Sequence, residues 1–186
     1  MKSPVLRDGE LTLRLLRYRD KDIWTQVRRI NNEWLTPWEA TRPEHIDSSP
    51  LPSYVQMVAH QKREAKAGRI FAMGIWIADG KDERFIGQIT LGGIVYGAYR
   101  GGYIGYWIDQ RYSNRGYTTR AVKLLTKFAF EKLQLHRIEI AVRPENDASI
   151  KVAEKAGYIR EGERLRYLHI DGDWRDHLVF VKENLS

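Results

Sequence analysis

Seven consecutive residues, Ser113-Asn114-Arg115-Gly116-Tyr117-Thr118-Thr119, have the types and spacing to hold a phosphate. Upstream, Tyr103, Ile104, Tyr106, Trp107 and Ile108 are aromatic and β-branched, as in a pleated and largely buried strand. Asp109 to Gly116 break that pattern, and from Ala121 the residues Ala121, Val122, Leu125, Phe128, Ala129 and Leu133 recur as on one helix face. A strand therefore runs into a short loop that opens a helix, where free N–H groups and the positive end of a helix dipole converge. Gly116 keeps the backbone accessible, Asn114 tolerates the left-handed conformation, and Arg115 can donate a charge-assisted hydrogen bond to a phosphate oxygen. Neither GxxxxGK[ST] nor GxGxxG occurs, so the nucleotide-hydrolase and dinucleotide readings lose their main warrant. A plain strand-to-helix turn would have the same outline.

A second run adds to the first. Ile138, Ile140 and Val142 alternate with polar residues in a half-buried strand that ends at Arg143-Pro144-Glu145-Asn146-Asp147-Ala148-Ser149. Asn146 suits an N-cap, Asp147 suits the dipole, Ile150, Ala153 and Ala156 form an apolar face, and Gly157 closes the helix. The whole reads V-x-P-x-N-x-x-S-x-x-x-x-x-K-x-G-Y from Val142 to Tyr158. Glu161-Gly162 and Ile170-Asp171-Gly172-Asp173-Trp174-Arg175-Asp176-His177 follow. In this combination the chain resembles the RimJ/RimL branch of the GNAT superfamily, the ribosomal-protein and protein N-terminal acetyltransferases. The likeness extends from Leu11-Thr12-Leu13-Arg14 through Trp38-Glu39 to the C-terminal strand. The Ser113–Thr118 loop is similar to the family's Q/R-x-x-G-x-G/A acetyl-coenzyme A loop, with Ser113 at its first position and Thr118 at its last.

The resemblance implies an α/β (α+β) fold: one GNAT domain with a mixed, mostly antiparallel seven-stranded sheet, about four flanking helices and splayed central strands. It also implies acetyl-coenzyme A as donor, coenzyme A as product, and direct attack of an amine on the thioester. A free α-amine has a pKa of roughly 7.7 to 8.0 against about 10.4 for lysine, so an N-terminal acceptor asks less of a base. One carboxylate proposed as base in the RimL type aligns with Leu168, which leaves Glu39 and Glu139 as carboxylate candidates beside the plainer reading of two solvated glutamates. Main-chain N–H groups near Trp107 and Ile108 would stabilise the charge that develops on the carbonyl oxygen. Ser149, with Tyr158 second, would serve the departing thiolate; helix capping and core packing are their structural alternatives. Asn146 would bond the pantetheine arm. The cofactor set is thus Trp107, Ile108, Ser113, Asn114, Arg115, Gly116, Tyr117, Thr118, Thr119, Asn146 and Ser149. Trp34, Trp38 and Tyr54 would wall the acceptor groove.

The 186 residues suit one compact domain, 1–186, with a single core. There is no cysteine, which removes thiolate nucleophiles, disulfides and cysteine metal sites and fits a reducing cytoplasm. The five histidines show no HExxH or other ligand spacing, so no metal is expected. Met1-Lys2-Ser3-Pro4 opens no signal-type apolar stretch and no run approaches a membrane span. The net charge of +7 favours an anionic partner, but the basic residues are dispersed and no nucleic-acid-reading pattern appears. Three function classes follow. The first is acetylation of the N-terminal amine of a ribosomal or other cytosolic protein. The second is acetylation of a small amine such as a polyamine, amino sugar, antibiotic or amino acid. The third is a non-catalytic module that binds acetyl-coenzyme A or docks on a ribosome. A monomer and a homodimer through the Val95–Tyr103 hairpin both remain open.

Coarsely, a strand over Leu11–Leu16 precedes a helix capped by Asp20 with Ile23, Val27 and Ile30 on one face. A loop over Trp34–Pro52 and a helix over Ser53–Ala67 follow. Strands at Ile70–Ala78 and Arg84–Leu91 join across Asp79-Gly80-Lys81-Asp82, and Arg164–Ile170 and His177–Val181 close the chain as a hairpin.

Overall fold

The computed structural model describes residues 4–43 and 49–185, so the part of the Trp34–Pro52 loop at 44–48 lies outside the described residues. Eight strands form one sheet in the order β1-β2-β3-β4-β5-β6-β8-β7. They are β1 Val5–Asp8, β2 Leu11–Leu15, β3 Phe71–Asp79, β4 Asp82–Val95, β5 Gly101–Ile108, β6 Arg137–Val142, β7 Ile159–Ile170 and β8 Asp173–Glu183. Every neighbouring pair is antiparallel except β5 with β6. That parallel pair needs a crossover, and helix α4, Tyr117–Glu131, supplies it.

The sheet exceeds the expected seven strands by β1, a four-residue edge paired with β2. Its mostly exposed residues give no alternation to read. The β3–β4 turn falls at Gly80-Lys81 as expected, since Asp79 pairs with Asp82. Asp171 and Gly172, both at positive φ, make the tight β7–β8 turn.

Helices cover both faces of the central strands. Phe71, Met73 and Ile75 pack with Ala121, Val122 and Leu125 of α4 and with Ala153 of α5, Asp147–Lys155. On the other side Trp76 and Phe85 pack with Val27 of α1, Lys21–Ile30, and with Tyr54 and Val58 of α3, Tyr54–Lys66. Double coverage explains why β3 reads as a near-continuous apolar run.

Three local expectations are corrected. Ile23 and Ile30 face solvent, because α1 docks through Val27 and through Trp24, whose Nε1–H donates to Gln88 Oε1 at 3.0 Å. Asp20 stands at the helix N-cap, but its carboxylate turns back to Arg14 Nη1 at 2.7 Å and to the Arg17 N–H at 2.8 Å. A buried guanidinium demands a carboxylate more strongly than a helix amide does. Part of the expected Trp34–Pro52 loop is helical, as α2 at Asn32–Leu35 and a 3₁₀ turn at Thr36–Trp38.

Candidate active site

The ladder between β5 and β6 lasts only from Gly101–Tyr103 against Arg137–Glu139. Beyond it β5 stays on β4 to Ile108 and β6 stays on β8 to Val142, so the two strands part. A cavity of about 220 Å³ opens in the gap. Ile104, Gly105 and Tyr106 line it from β5, Ile140 to Val142 from β6, Arg143, Asn146 and Ser149 from the turn and start of α5, and Leu168, Ile170 and His177 from the last hairpin. Trp38 and Ala40 close the remaining side. Their segment is tied down by an Ala40–Ile170 bridge, by the Asp171 N–H on Glu39 O at 3.0 Å, and by Arg143 Nη1 on Pro37 O at 2.8 Å.

At the C-terminal end of β5 the chain turns sharply into α4. Asp109 is fully buried. Burial alone would raise its pKa, but bonds from the Arg111 guanidinium and amide outweigh that and hold the carboxyl below its usual range. Asn31 Oδ1 accepts from the Gln110 N–H at 2.8 Å and fixes the same corner from the junction of α1 and the next short helix. Asn114 has φ 58° and Gly116, the N-cap of α4, has φ 81°. No side chain caps this helix, which leaves the amides of Tyr117, Thr118 and Thr119 without intrahelical partners. Arg115 lies over the Tyr112 ring at 5.2 Å, and Ser113 Oγ donates to Gln110 O at 2.7 Å. The corner thus presents three backbone amides at the N-terminus of α4 with no side-chain cap among the described residues. Arg120, one turn on, reaches across to Asp8 and Glu10 at the β1–β2 turn with contacts of 2.8 and 2.6 Å.

The amides near Trp107 and Ile108 point to opposite sides of β5. Asp109 donates to Ile86 O at 2.8 Å. Peptide groups alternate sides along a strand, so Trp107 also faces β4, while Tyr106 and Ile108 turn their N–H groups toward the gap. The Trp107 ring packs on Phe85, outside the cavity.

Asn146 and Ser149 come together as the spacing implied. Asn146 Oδ1 accepts from the Ser149 N–H at 3.0 Å, so the cap belongs to Asn146 and the Ser149 hydroxyl has no partner among the described residues. Tyr158 does not join them. It is buried, its hydroxyl donates to Thr126 Oγ1 at 2.6 Å, and Thr126 in turn donates to Val122 O. Glu39 is likewise placed elsewhere: its carboxylate is ion-paired with Arg28, whose guanidinium stands over Trp107, and Glu39 is not among the residues lining the cavity. Glu139 is held by Arg137 and Arg164 at 3.1 and 2.9 Å. Of the proposed aromatic wall only Trp38 faces the cavity; Tyr54 is core, its hydroxyl on Arg17 O.

Two lining residues escaped sequence reasoning. Tyr106 donates its hydroxyl to Ser149 O at 3.2 Å, and burial pushes its pKa well above the usual phenol value. His177 is 3 % exposed, with burial pushing its imidazole below its ordinary pKa. A histidine in a strand flanked by Asp176 and Leu178 reads as ordinary alternation. The clue was that polar residue in a run otherwise buried through Val181.

The family profile described as "Acetyltransferase (GNAT) domain" matches residues 10–159. The chain is 29% identical over 177 residues to the "[Ribosomal protein uS5]-alanine N-acetyltransferase" of Escherichia coli, covering 94% of this chain and 88% of that protein. It is 41% identical over 111 residues to the "Probable N-acetyltransferase YjcK" of Bacillus subtilis, a match spanning 60% of each. Among solved structures it is similar to Mycobacterium smegmatis RimJ in complex with CoA-disulfide, with TM-score 0.84, 33% identity, and coverage of 97% of this chain and 86% of that one. Splayed strands, an uncapped helix at the β5 corner and this kinship together mean that the chain belongs to the GNAT acetyltransferase family and is an N-acetyltransferase.

Proposed function

We propose that the protein transfers an acetyl group from acetyl-coenzyme A to the N-terminal α-amine of a protein in the cytoplasm, foremost a ribosomal protein. The observation that carries this reading is the cavity lining, which among the described residues contains no aspartate or glutamate. A polyamine brings several ammonium groups that call for carboxylates, whereas an α-amine brings one charge with a pKa of roughly 7.7 to 8.0 and sheds it readily. Leu168 stands where a carboxylate would otherwise reach in, and Ala40, Leu168 and Ile170 make that wall apolar. A short first side chain, alanine or serine, fits such a wall. Kinship with the uS5-alanine enzyme across 94% of the chain supports the acceptor class, and the +7 charge suits approach to a polyanionic ribosome.

The residues present fit the donor. Amides of Tyr117, Thr118 and Thr119, with Arg115, would hold its phosphates, and Asn146 its amide-bearing arm. When bound, it supplies an acetyl carbon activated by a thiolate leaving group. The Ile108 amide, on the gap side of β5, would stabilise charge developing on the carbonyl oxygen, and the Ser149 hydroxyl, without a partner among the described residues, would donate to the departing sulfur. Thiol-release assays with peptides beginning Ala, Ser or Thr, with spermidine and with an aminoglycoside test this. Turnover of the peptides is expected. Turnover of the small amines alone would replace it with the small-molecule reading, and donor binding without turnover would leave a sensing module.

A further inference from the structure

His177 sits where the last hairpin is irregular. Arg164 pairs with His177 and Leu168 with Arg175, so three residues of β7 oppose one of β8. Arg166 takes φ 47° within this bulge and its N–H bonds Asp176 Oδ1 at 2.7 Å. The bulge carries Tyr167 against the imidazole, ring centroids 5.9 Å apart and nearly perpendicular, so that the ring is held edge-on. His177 Nδ1 lies 2.9 Å from Arg175 O. A carbonyl can only accept, so Nδ1 carries the proton and Nε2 keeps its lone pair. Nε2 has no protein partner among the described residues, and the side chain lines the cavity at the mouth of the strand gap. The charged groups about it are Arg143 and Glu145 beyond β6 and Asp176 on its own strand, with Arg164 its register partner on β7. None of them bonds the ring.

Building on the reading of this cavity as the acceptor chamber, we propose that His177 is the general base, its Nε2 taking the proton from the acceptor ammonium directly or through one water. The balance is complete. The ammonium gives one proton to Nε2; the freed amine nitrogen forms a bond to the thioester carbonyl carbon as the carbon–sulfur bond breaks. The second proton lost from that nitrogen neutralises the thiolate, and the imidazolium returns its proton to solvent. The arrangement accounts for an acetyltransferase with leucine at position 168 and with both other carboxylates, Glu39 and Glu139, tied to arginines. A neutral imidazole also does so without a fixed negative charge that would recruit polyamines.

The test compares wild type with His177→Asn, which can keep the bond to Arg175 O, and with His177→Gln. An alanine-initiated peptide and spermidine are each used as acceptor. Loss of about 10²- to 10⁴-fold in kcat/KM is expected on whichever acceptor the wild type uses, with unchanged acetyl-coenzyme A affinity by calorimetry. The pH profile should change too. Wild-type kcat/KM levels off before the amine titrates, and the variants keep rising to the amine's own pKa. Independently of folding in the variants, ¹⁵N NMR of the wild-type imidazole should show the Nδ1–H tautomer at pH 7. A kcat/KM within threefold with the profile unmoved overturns the proposal, as does an Nε2–H tautomer or an imidazolium at pH 7. If the wild type uses spermidine and not the peptide, the N-terminal reading fails while the same variants still decide the role of His177.

Discussion

Ser149 shows how one hydrogen bond reassigns a residue. In sequence it could have been either a cap or a donor, and the cap is Asn146. Ser149→Ala should therefore leave the melting temperature and donor affinity near wild type while lowering kcat about 10- to 100-fold, the worth of a hydrogen bond to a charged group. Steady-state kinetics beside calorimetry check this; a fall in stability matching the fall in rate would return Ser149 to a structural role. Gly105 offers a sharper probe of the gap. A Cβ there would meet no atom within 4 Å, and its backbone conformation is an ordinary one. Gly105→Val should fold normally, since a β-branched residue suits a strand, yet fill the cavity and lower turnover at least about 100-fold. Glu39 and His177 exchange importance for a related reason. Their distinction rests on partners brought in by a turn of the chain, Arg28 for one and the Tyr167 bulge for the other, and neither the helical nor the strand period encodes those.

Among the elements, the strand-to-helix corner was the most legible, because its cues are local: a run of β-formers, a polar break, a glycine and a helical period. What spacing did not show was that Asp109 and Asn31 clamp the corner from two sides, or that α4 begins at Tyr117, ahead of its first apolar residue. At φ 81° Gly116 pays nothing for a conformation that costs an L-residue about 1 to 2 kcal/mol. Gly116→Ala should lower stability by about that amount, and Gly116→Asp should in addition abolish donor binding in calorimetry through its charge at the open amides. Retained binding by the aspartate variant would move the phosphate site elsewhere. The short edge β1 and the outward faces of Ile23 and Ile30 were illegible because each is set by which neighbour happens to cover it.

For the molecule as a whole, acid sensitivity should have two stages. Burial depresses the His177 pKa, so the unfolded chain binds a proton there at a pH where the folded chain does not. Stability is then fully present above the unfolded value of about 6.5 and is lost as pH falls from there through the folded value. Asp109, Glu145 and Glu161, whose pKa values are also lowered, lose their contribution only below the ordinary carboxylate range. Urea titrations at pH 7.5, 5.5 and 3.5 should show both declines, and His177→Asn should remove the first alone. The general architecture followed from alternation and period; the splayed gap did not, since it is the end of a pairing and leaves no pattern in either strand.

The reach of Arg120 from the start of α4 moors the β5–α4 corner to the β1–β2 turn through ion pairs with Asp8 and Glu10 and a hydrogen bond to the Asp8 carbonyl. The exposed anchors feel dissolved ions directly. If the donor docks at the proposed corner, potassium chloride should weaken its binding in calorimetry through these ion pairs, and neutralising Asp8 and Glu10 together should reproduce part of that loss in dilute buffer.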